Sequence, residues 1–575
     1  TTASHNTAIG YKSGEDITIG QQNTALGSQS LMNGTSAAQN VSLGAFTLQT
    51  LTTGSFNVAV GNMALYDSTT SSYNTAVGYQ ALQNNTTGTS NTAVGANALD
   101  TATTAVENTA IGRSALKSAT TGGYNTAVGS GSLYSNTTGQ KNVSIGRDSL
   151  IASTTGDQNV AVGYHALNDS TTANGNTAIG YQSTEKNTTG ADNVAVGWST
   201  LDANTTGSNN TALGYNSLSA STTANDNTAV GKNALGANTT GSNNTAVGYE
   251  SLKANQNGTV NTAVGYQAGQ AVTTSQDHTH IGAYSGYTVT NQSHTTYIGA
   301  YSGYHQTNTG NTAVGYRAFT GTTTANGYSN TVMGYAAAQD AQDGTNNSTV
   351  IGYEAGKGGT TAGSNTWVGY QAGVLNTTGG NNVVVGYYSG RNISTGGSNV
   401  LIGTNVATYV TNLTTGSRNI YIGPYARTSA SDVNDETVIG YNITGKGTET
   451  GFIGGSNGVY QENNSSSWST TSDRRIKKNI EDNTTGLDKI NQIQVRNFEY
   501  RTKEEITDFE NTDAVMVDVK GVQLGVIAQE IQEVLPDVVE ELGTGALSVN
   551  PDNITWYLVN AVKELSTKVK ALEAG

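Results

Sequence analysis

The sequence predicts a mainly β protein. A parallel β-solenoid rod over residues 1–455 is followed by a linker over 456–471. A small α+β domain over 472–575 then ends in a long helix. Three observations point to this. A pentapeptide of the form Asn-Thr-Ala-Val-Gly recurs with its closing glycine every seventeen residues, unbroken from Gly10 to Gly299 and with looser spacing to Gly454. Apolar residues keep a fixed phase against that glycine, which is the mark of a repeat architecture. Composition then changes: residues 472–575 hold 12 basic and 19 acidic side chains, against 14 and 22 in the preceding 471 residues.

Residues Asn74 to Ser90 represent one repeat. Thr75-Ala76-Val77 precede the corner glycine Gly78, Tyr79-Gln80-Ala81-Leu82 follow it, and Gln83 to Ser90 hold only turn-forming polar residues. Neither apolar piece is long enough for a helix, and Asn, Thr, Gly and Val disfavour one. A single unit cannot bury its apolar face, but stacked units can. About 27 coils at ~4.8 Å per strand make a rod on the order of 130 Å long.

The residue before each corner glycine is Val, Ile or Leu, with Met333 an exception, and the residue two before is Ala or Ser in every unit up to Gly265. Alternate strand residues face opposite ways. The Val/Ile face is therefore expected to form a constant core, with the Ala/Ser face packed tightly. Beyond Gly265 the Ala/Ser position becomes His280, Tyr297, Val332, Trp367, Leu401 or Tyr421. Over the same stretch the residue four after the glycine changes from Leu to mostly Gly. Two sub-blocks, 1–265 and 266–455, are expected.

These repeats resemble the head repeats of trimeric autotransporter adhesins of the YadA type, in which Asn-Ser-Val-Ala-Ile-Gly units coil into a left-handed parallel β-roll and three chains pack side by side. The units here are longer, with the extra residues in the Asn-Thr-Thr-Gly loop. The resemblance implies a homotrimer, and small Ala/Ser residues on one face suit close approach of three rolls.

The chain has 575 residues, a net charge of −15 and no cysteine. An acidic chain without a basic patch argues against nucleic-acid binding. No run of apolar residues is long enough to span a membrane as a helix. Without disulfides, coil stacking must supply stability. The Asn-x-Ser/Thr triplets, as at Asn85 and Asn136, follow from loop composition rather than glycosylation.

After a Ser/Asn-rich stretch containing Trp468, the C-terminal segment opens Ser472-Asp473-Arg474-Arg475-Ile476-Lys477. Leu487 to Ile493 has helical spacing, Val495 to Tyr500 and Val522 to Ala528 read as strands, and Gln529 to Leu535 is a short helix ending at Pro536. Asn550 and Pro551 are start signals for a final helix. Its residues Leu558, Val562, Leu565, Val569 and Leu572 step alternately by 4 and 3, a short coiled-coil seam or a face packed on its own domain.

This segment resembles the intramolecular chaperone domain of endosialidase tailspikes and phage tail fibres. The resemblance rests on Ser472-Asp473-Arg474 with Lys477, Phe498-Glu499-Tyr500, Gly525 to Glu530 with Pro536, and the terminal helix. Val549-Asn550-Pro551 departs from the aspartate and tyrosine often found there. The resemblance implies a domain that registers three chains and then releases itself by cutting between Thr471 and Ser472, with a Ser472/Lys477 dyad. No histidine lies in 472–575, which excludes a Ser-His-Asp triad within the domain. Lys477 must shed its charge to act as base, and Arg474, Arg475 and Lys478 are cationic neighbours that favour this.

The function expected is a structural phage tail fibre for host attachment, located on the virion and assembled in the host cytoplasm. Its receptor partner would be a surface glycan or protein. A bacterial surface adhesin of the autotransporter class is the alternative, but it would end in a membrane β-barrel, whereas this chain ends in a charged helix. A polysaccharide depolymerase would need paired carboxylates in a cleft; the nearest cluster is Asp432, Asp435 and Glu436. No cofactor is expected beyond one conditional case. His278 and His280 flank Thr279 on one strand face. If that face meets a threefold axis, three chains present a site for a transition metal; otherwise the imidazoles are stacked or solvated. The Gly-Tyr pairs form an aromatic row, either a sugar platform or stacking between coils.

Overall fold

The computed structural model describes residues 2–322, 327–342, 344–455, 459–461, 472–509, 517, 520–542 and 545–575. The chain divides into two compact units, Thr1–Thr470 and Thr471–Gly575.

The first unit is a parallel β-solenoid. Three-residue strands, from Thr7–Ile9 to Gly451–Ile453, stack in one continuous sheet. The register is one repeat per coil, so that Thr75, Ala76 and Val77 lie beside Thr92, Ala93 and Val94. The parallel stack ends where Gly451–Ile453 pairs antiparallel with Val459–Gln461.

The core lies on the face opposite to the one expected. The central strand residue, Ala76 or Ala93, is fully buried together with Leu82 and Leu99 from the side that follows the corner. Thr75 and Val77 are only half-buried, while Val94 and Ile111 remain 36% and 41% exposed. Strand alternation separates two faces without saying which one points inward. The turn decides that, and here it encloses the Ala/Ser position. The small residues therefore serve packing within a coil and are not available for close approach between chains. The Val/Ile/Leu row faces outward along the whole sheet.

Two features hold the coil closed. Gly78 has φ 139°, and a Cβ there would lie 2.6 Å from the carbonyl oxygen of Gly95 in the next coil, so only glycine fits the corner. In most coils the motif opens with a buried asparagine, and these asparagines form a ladder. The Asn91 side-chain amide donates to the Ala105 carbonyl (2.8 Å), and its Oδ1 accepts from the backbone N–H of Asn108 (3.0 Å) and from the Asn108 amide (3.1 Å). Buried backbone groups need such partners, which explains why this position is Asn in most coils.

The two sub-blocks have one steric cause. The strand-centre position and the position four after the corner share the interior, so His280, Tyr297 and Trp367 at the first are accommodated by glycine at the second, whereas Tyr421 sits with Ala407 and Arg427 there. A Cβ on Gly286 would lie 2.5 Å from His280 Cε1, and one on Gly303 would lie 2.5 Å from the ring of Tyr297. Trp367 is likewise seated between Gly356 and Gly373.

The second unit pairs Arg496–Phe498 antiparallel with Gln523–Gly525, and Val539–Glu541 antiparallel with Leu547–Val549. Helices cover Leu487–Ile490, Ala528–Val534 and Pro551–Glu573. Ile531, Leu535 and Val538 form a small core, with Ile493, Val526, Val549, Ile554 and Tyr557 packed against it. The Asn550 side chain accepts from the Asp552 and Asn553 N–H groups and caps the terminal helix, with Pro551 in its first turn. On that helix Leu558, Val562, Leu565, Val569 and Leu572 are exposed.

Candidate functional site

Ser472 and Lys477 are separated by four residues, and an extended chain would hold them more than ~13 Å apart. A 3₁₀ turn over Arg474–Ile476 folds the segment back. Asp473 caps the turn: its carboxylate accepts from the backbone N–H of Arg475 (2.8 Å), and the Ile476 N–H donates to the Asp473 carbonyl (3.1 Å). The Lys477 N–H then bonds the Arg474 carbonyl. The result is direct contact, with Lys477 Nζ donating to Ser472 Oγ at 2.7 Å. Both side chains are exposed in the single chain. The Arg475 guanidinium forks onto Asp473 and, with its backbone N–H, holds that carboxylate below its usual range. Thr471, the other side of the expected scissile bond, lies outside the described residues, as does Trp468.

The chain after the dyad is tied to the terminal helix. Asn560 Nδ2 donates to the carbonyls of Asn483 (2.7 Å) and Thr485 (3.2 Å), and Glu564 Oε2 accepts from the Leu487 N–H (3.2 Å). Gly486 lies against the helix backbone, where a Cβ would be 2.6 Å from the Ala561 nitrogen. The sequence carries no sign of these contacts, because the partners lie about 75 residues apart.

His278 and His280 do share a face, but that face is the coil interior and not one that could meet a symmetry axis. Both rings are buried, 4.9 Å apart, and both hydrogen-bond Thr295 Oγ1, His278 through Nδ1 (2.7 Å) and His280 through Nε2 (2.9 Å). His278 also bonds Ser275 Oγ at 2.8 Å. Burial pushes His278 down to about 4 and His280 well below the ordinary histidine value. Among the described residues, no group of three or more His, Cys, Asp or Glu side chains is arranged to hold a metal ion.

The tyrosine row is stacked over parts of its length, as in Tyr164 with Tyr181 and Tyr249 with Tyr266, while Trp198 meets Tyr181 and Tyr215 edge-on. Tyr335, Tyr353 and Tyr370 follow one another at 5.0 Å with nearly parallel rings, so each ring face meets the next coil and the edges face outward. The acidic cluster is dispersed. Asp435 forks with Arg418, while Glu436 is buried and accepts from the Tyr421 hydroxyl (2.7 Å) and the Gly447 N–H (2.8 Å). These carboxylates do not share a cleft.

Residues 472–540 match the family described as chaperone of endosialidase, and the match begins at Ser472 itself.

Proposed function

We propose that this chain is a fibre polypeptide of a phage tail that works as a homotrimer for host attachment, with a C-terminal chaperone that registers three chains and then removes itself. The observation that carries this reading is the 2.7 Å contact between Lys477 Nζ and Ser472 Oγ at the first residue of the chaperone match. Ser472 Oγ attacks the Thr471 carbonyl, and Lys477, as free amine, takes the hydroxyl proton. The peptide C–N bond breaks, the Ser472 amine leaves with a proton, and water opens the resulting ester. Assembly would draw the exposed pair out of water, which favours the uncharged amine. Cleavage thus follows correct packing and leaves the trimer kinetically trapped.

The rod supports the trimer. Its outward strand positions are Thr, Val, Ile, Leu or Met in nearly every coil and carry no charge, from Thr7 and Ile9 to Ile453. A continuous uncharged row of this length, half-exposed to exposed in every coil, is read as an interaction face. Registering identical repeats is the problem such a rod poses, since a slip by one coil pairs nearly the same residues. A trimeric clamp at one end removes that degeneracy. No helix of the described residues is long and apolar enough to cross a membrane.

The test is a denaturing gel with mass spectrometry on the wild type, Ser472→Ala and Lys477→Ala. The expected wild-type products separate at Thr471–Ser472, and both variants stay full length. A folded, trimeric wild type that remains intact refutes the mechanism, as does cleavage in Ser472→Ala.

A further inference from the structure

The terminal helix has two working faces. Leu558, Val562, Leu565, Val569 and Leu572 form an exposed apolar stripe on one. Asn560, Ala561 and Glu564 lie on another, and that face grips the strand of chain just beyond the dyad. We propose that Gly486, Asn560 and Glu564 form a clasp through which assembly of the terminal helices licenses cleavage at the Ser472–Lys477 pair. The inference rests on the trimeric, self-cleaving reading above and adds the regulation of its site.

The geometry favours transmission over mere packing. Asn560 holds two successive parts of one turn, the carbonyls of Asn483 and Thr485, with a single side-chain amide. Glu564 holds the following N–H at Leu487, where the short helix Leu487–Ile490 begins. Between these bonds, Gly486 lets the backbone approach so closely that a methyl group would strike Ala561 and Asn560 main-chain atoms. Residues 483–487 are thereby fixed to the helix, and only residues 478–482 separate them from Lys477. When three helices pack through their apolar stripes, each helix becomes fixed, and the clasp fixes the start of the domain with it. In the single chain the dyad is already in contact at 2.7 Å, and what packing of the three helices adds is a fixed position for that pair. Placing a catalytic group inaccurately by ~1 Å costs about a hundredfold in rate.

The experiment uses the full chain with Gly486→Ala, Asn560→Ala, Val562→Asp and Ser472→Ala. Light scattering reads assembly, and a gel time course reads cleavage. The clasp variants are expected to trimerise like wild type and to cleave about a hundredfold more slowly. Val562→Asp is expected to lose trimer and cleavage together. Wild-type cleavage rates in Asn560→Ala, or full-rate cleavage by monomeric Val562→Asp, overturn the clasp. Loss of the trimer in Asn560→Ala overturns the division of the helix into two faces. Asn560→Ala leaves the backbone contact intact and decides the matter if Gly486→Ala misfolds. Cleavage in Ser472→Ala instead overturns the dyad, a separate failure.

Discussion

Gly356 lies flat against the indole of Trp367 in the next coil, leaving no room for a Cβ. In earlier coils the same two places hold Leu252 and Ala263, both fully buried. The interior volume is thus shared between two positions, and the chain trades one against the other. Gly356→Leu alone is expected to overpack the coil and destabilise it by about 1–3 kcal/mol. Trp367→Ala alone leaves a cavity costing about 3–5 kcal/mol. The double variant recreates the Leu/Ala pair and should lose much less than the sum. Hydrogen exchange in the flanking strands, Thr349–Ile351 and Val383–Val385, reads the effect. Additive losses would refute the trade.

The two columns of this trade are visible in the sequence, because Leu gives way to Gly where Ala gives way to His280, Tyr297 and Trp367. Which face is the core was not legible. Valine ordinarily marks an interior and alanine is neutral, so Val77 reads as core and Ala76 as filler. Closure of the coil reverses this, since only a small side chain fits inside the strand where the side that follows it carries leucine, as with Ala76 and Leu82. At the second unit, Ser472 and Lys477 are legible from spacing within one short motif. Asn560 and Gly486 are not, since nothing local distinguishes them from a surface amide and a loop glycine.

The asparagine ladder makes each rung answerable for its neighbours. Asn91→Ala removes the donor to the Ala105 carbonyl and the acceptor for the Asn108 N–H, both buried. Each orphaned group costs about 1–3 kcal/mol. A clear drop in denaturant midpoint is expected for Asn91→Ala, and little change for the exposed loop variant Thr87→Ala. Equal midpoints would show that the ladder adds nothing to stability.

The outward strand row is the expected trimer contact. Val94→Lys combined with Ile111→Lys places charge at two adjacent rungs of that row, whose residues are 36% and 41% exposed in the single chain. Because neither residue fills the coil interior, the β-rich circular dichroism should persist while light scattering reports loss of the trimer. A trimer of wild-type stability would place the contact on another face.

Acid should weaken the coils around His278. This residue sits where the ladder would have its next rung, and its N–H still bonds Asn261 Oδ1 at 3.1 Å. Burial holds it neutral down to about pH 4, while the unfolded chain takes up a proton near the ordinary histidine value of 6.5. The unfolded state therefore binds more protons between those values. Stability is full above the upper value and falls as pH drops to the lower, by about 3 kcal/mol for this one group. His278→Asn restores an amide rung and should reduce the dependence, the remainder coming from buried His280, so that the variant outlasts wild type at about pH 5 but not at about pH 7 in denaturant titrations. Parallel curves for the two proteins would refute the assignment.

Asp473 sets the reach of Lys477. Its carboxylate accepts the Arg475 N–H at 2.8 Å, and the capped turn is what returns Nζ to Ser472 Oγ. The same carboxylate also binds the Arg475 guanidinium, so capping and charge must be separated. Asn and Ser can cap without a charge, whereas Ala can do neither. If position is what matters, Asp473→Ser and Asp473→Asn should cleave at near the wild-type rate. Asp473→Ala should lag about tenfold, which corresponds to about 1.4 kcal/mol, close to the worth of one cap. If charge matters instead, all three variants free Arg475 to repel the Lys477 ammonium. All three would then shift the pH–rate profile of cleavage toward lower pH by the same amount. Rates measured across pH on trimeric protein distinguish the two, and a common shift with equal rates in Ser, Asn and Ala would remove the capping role.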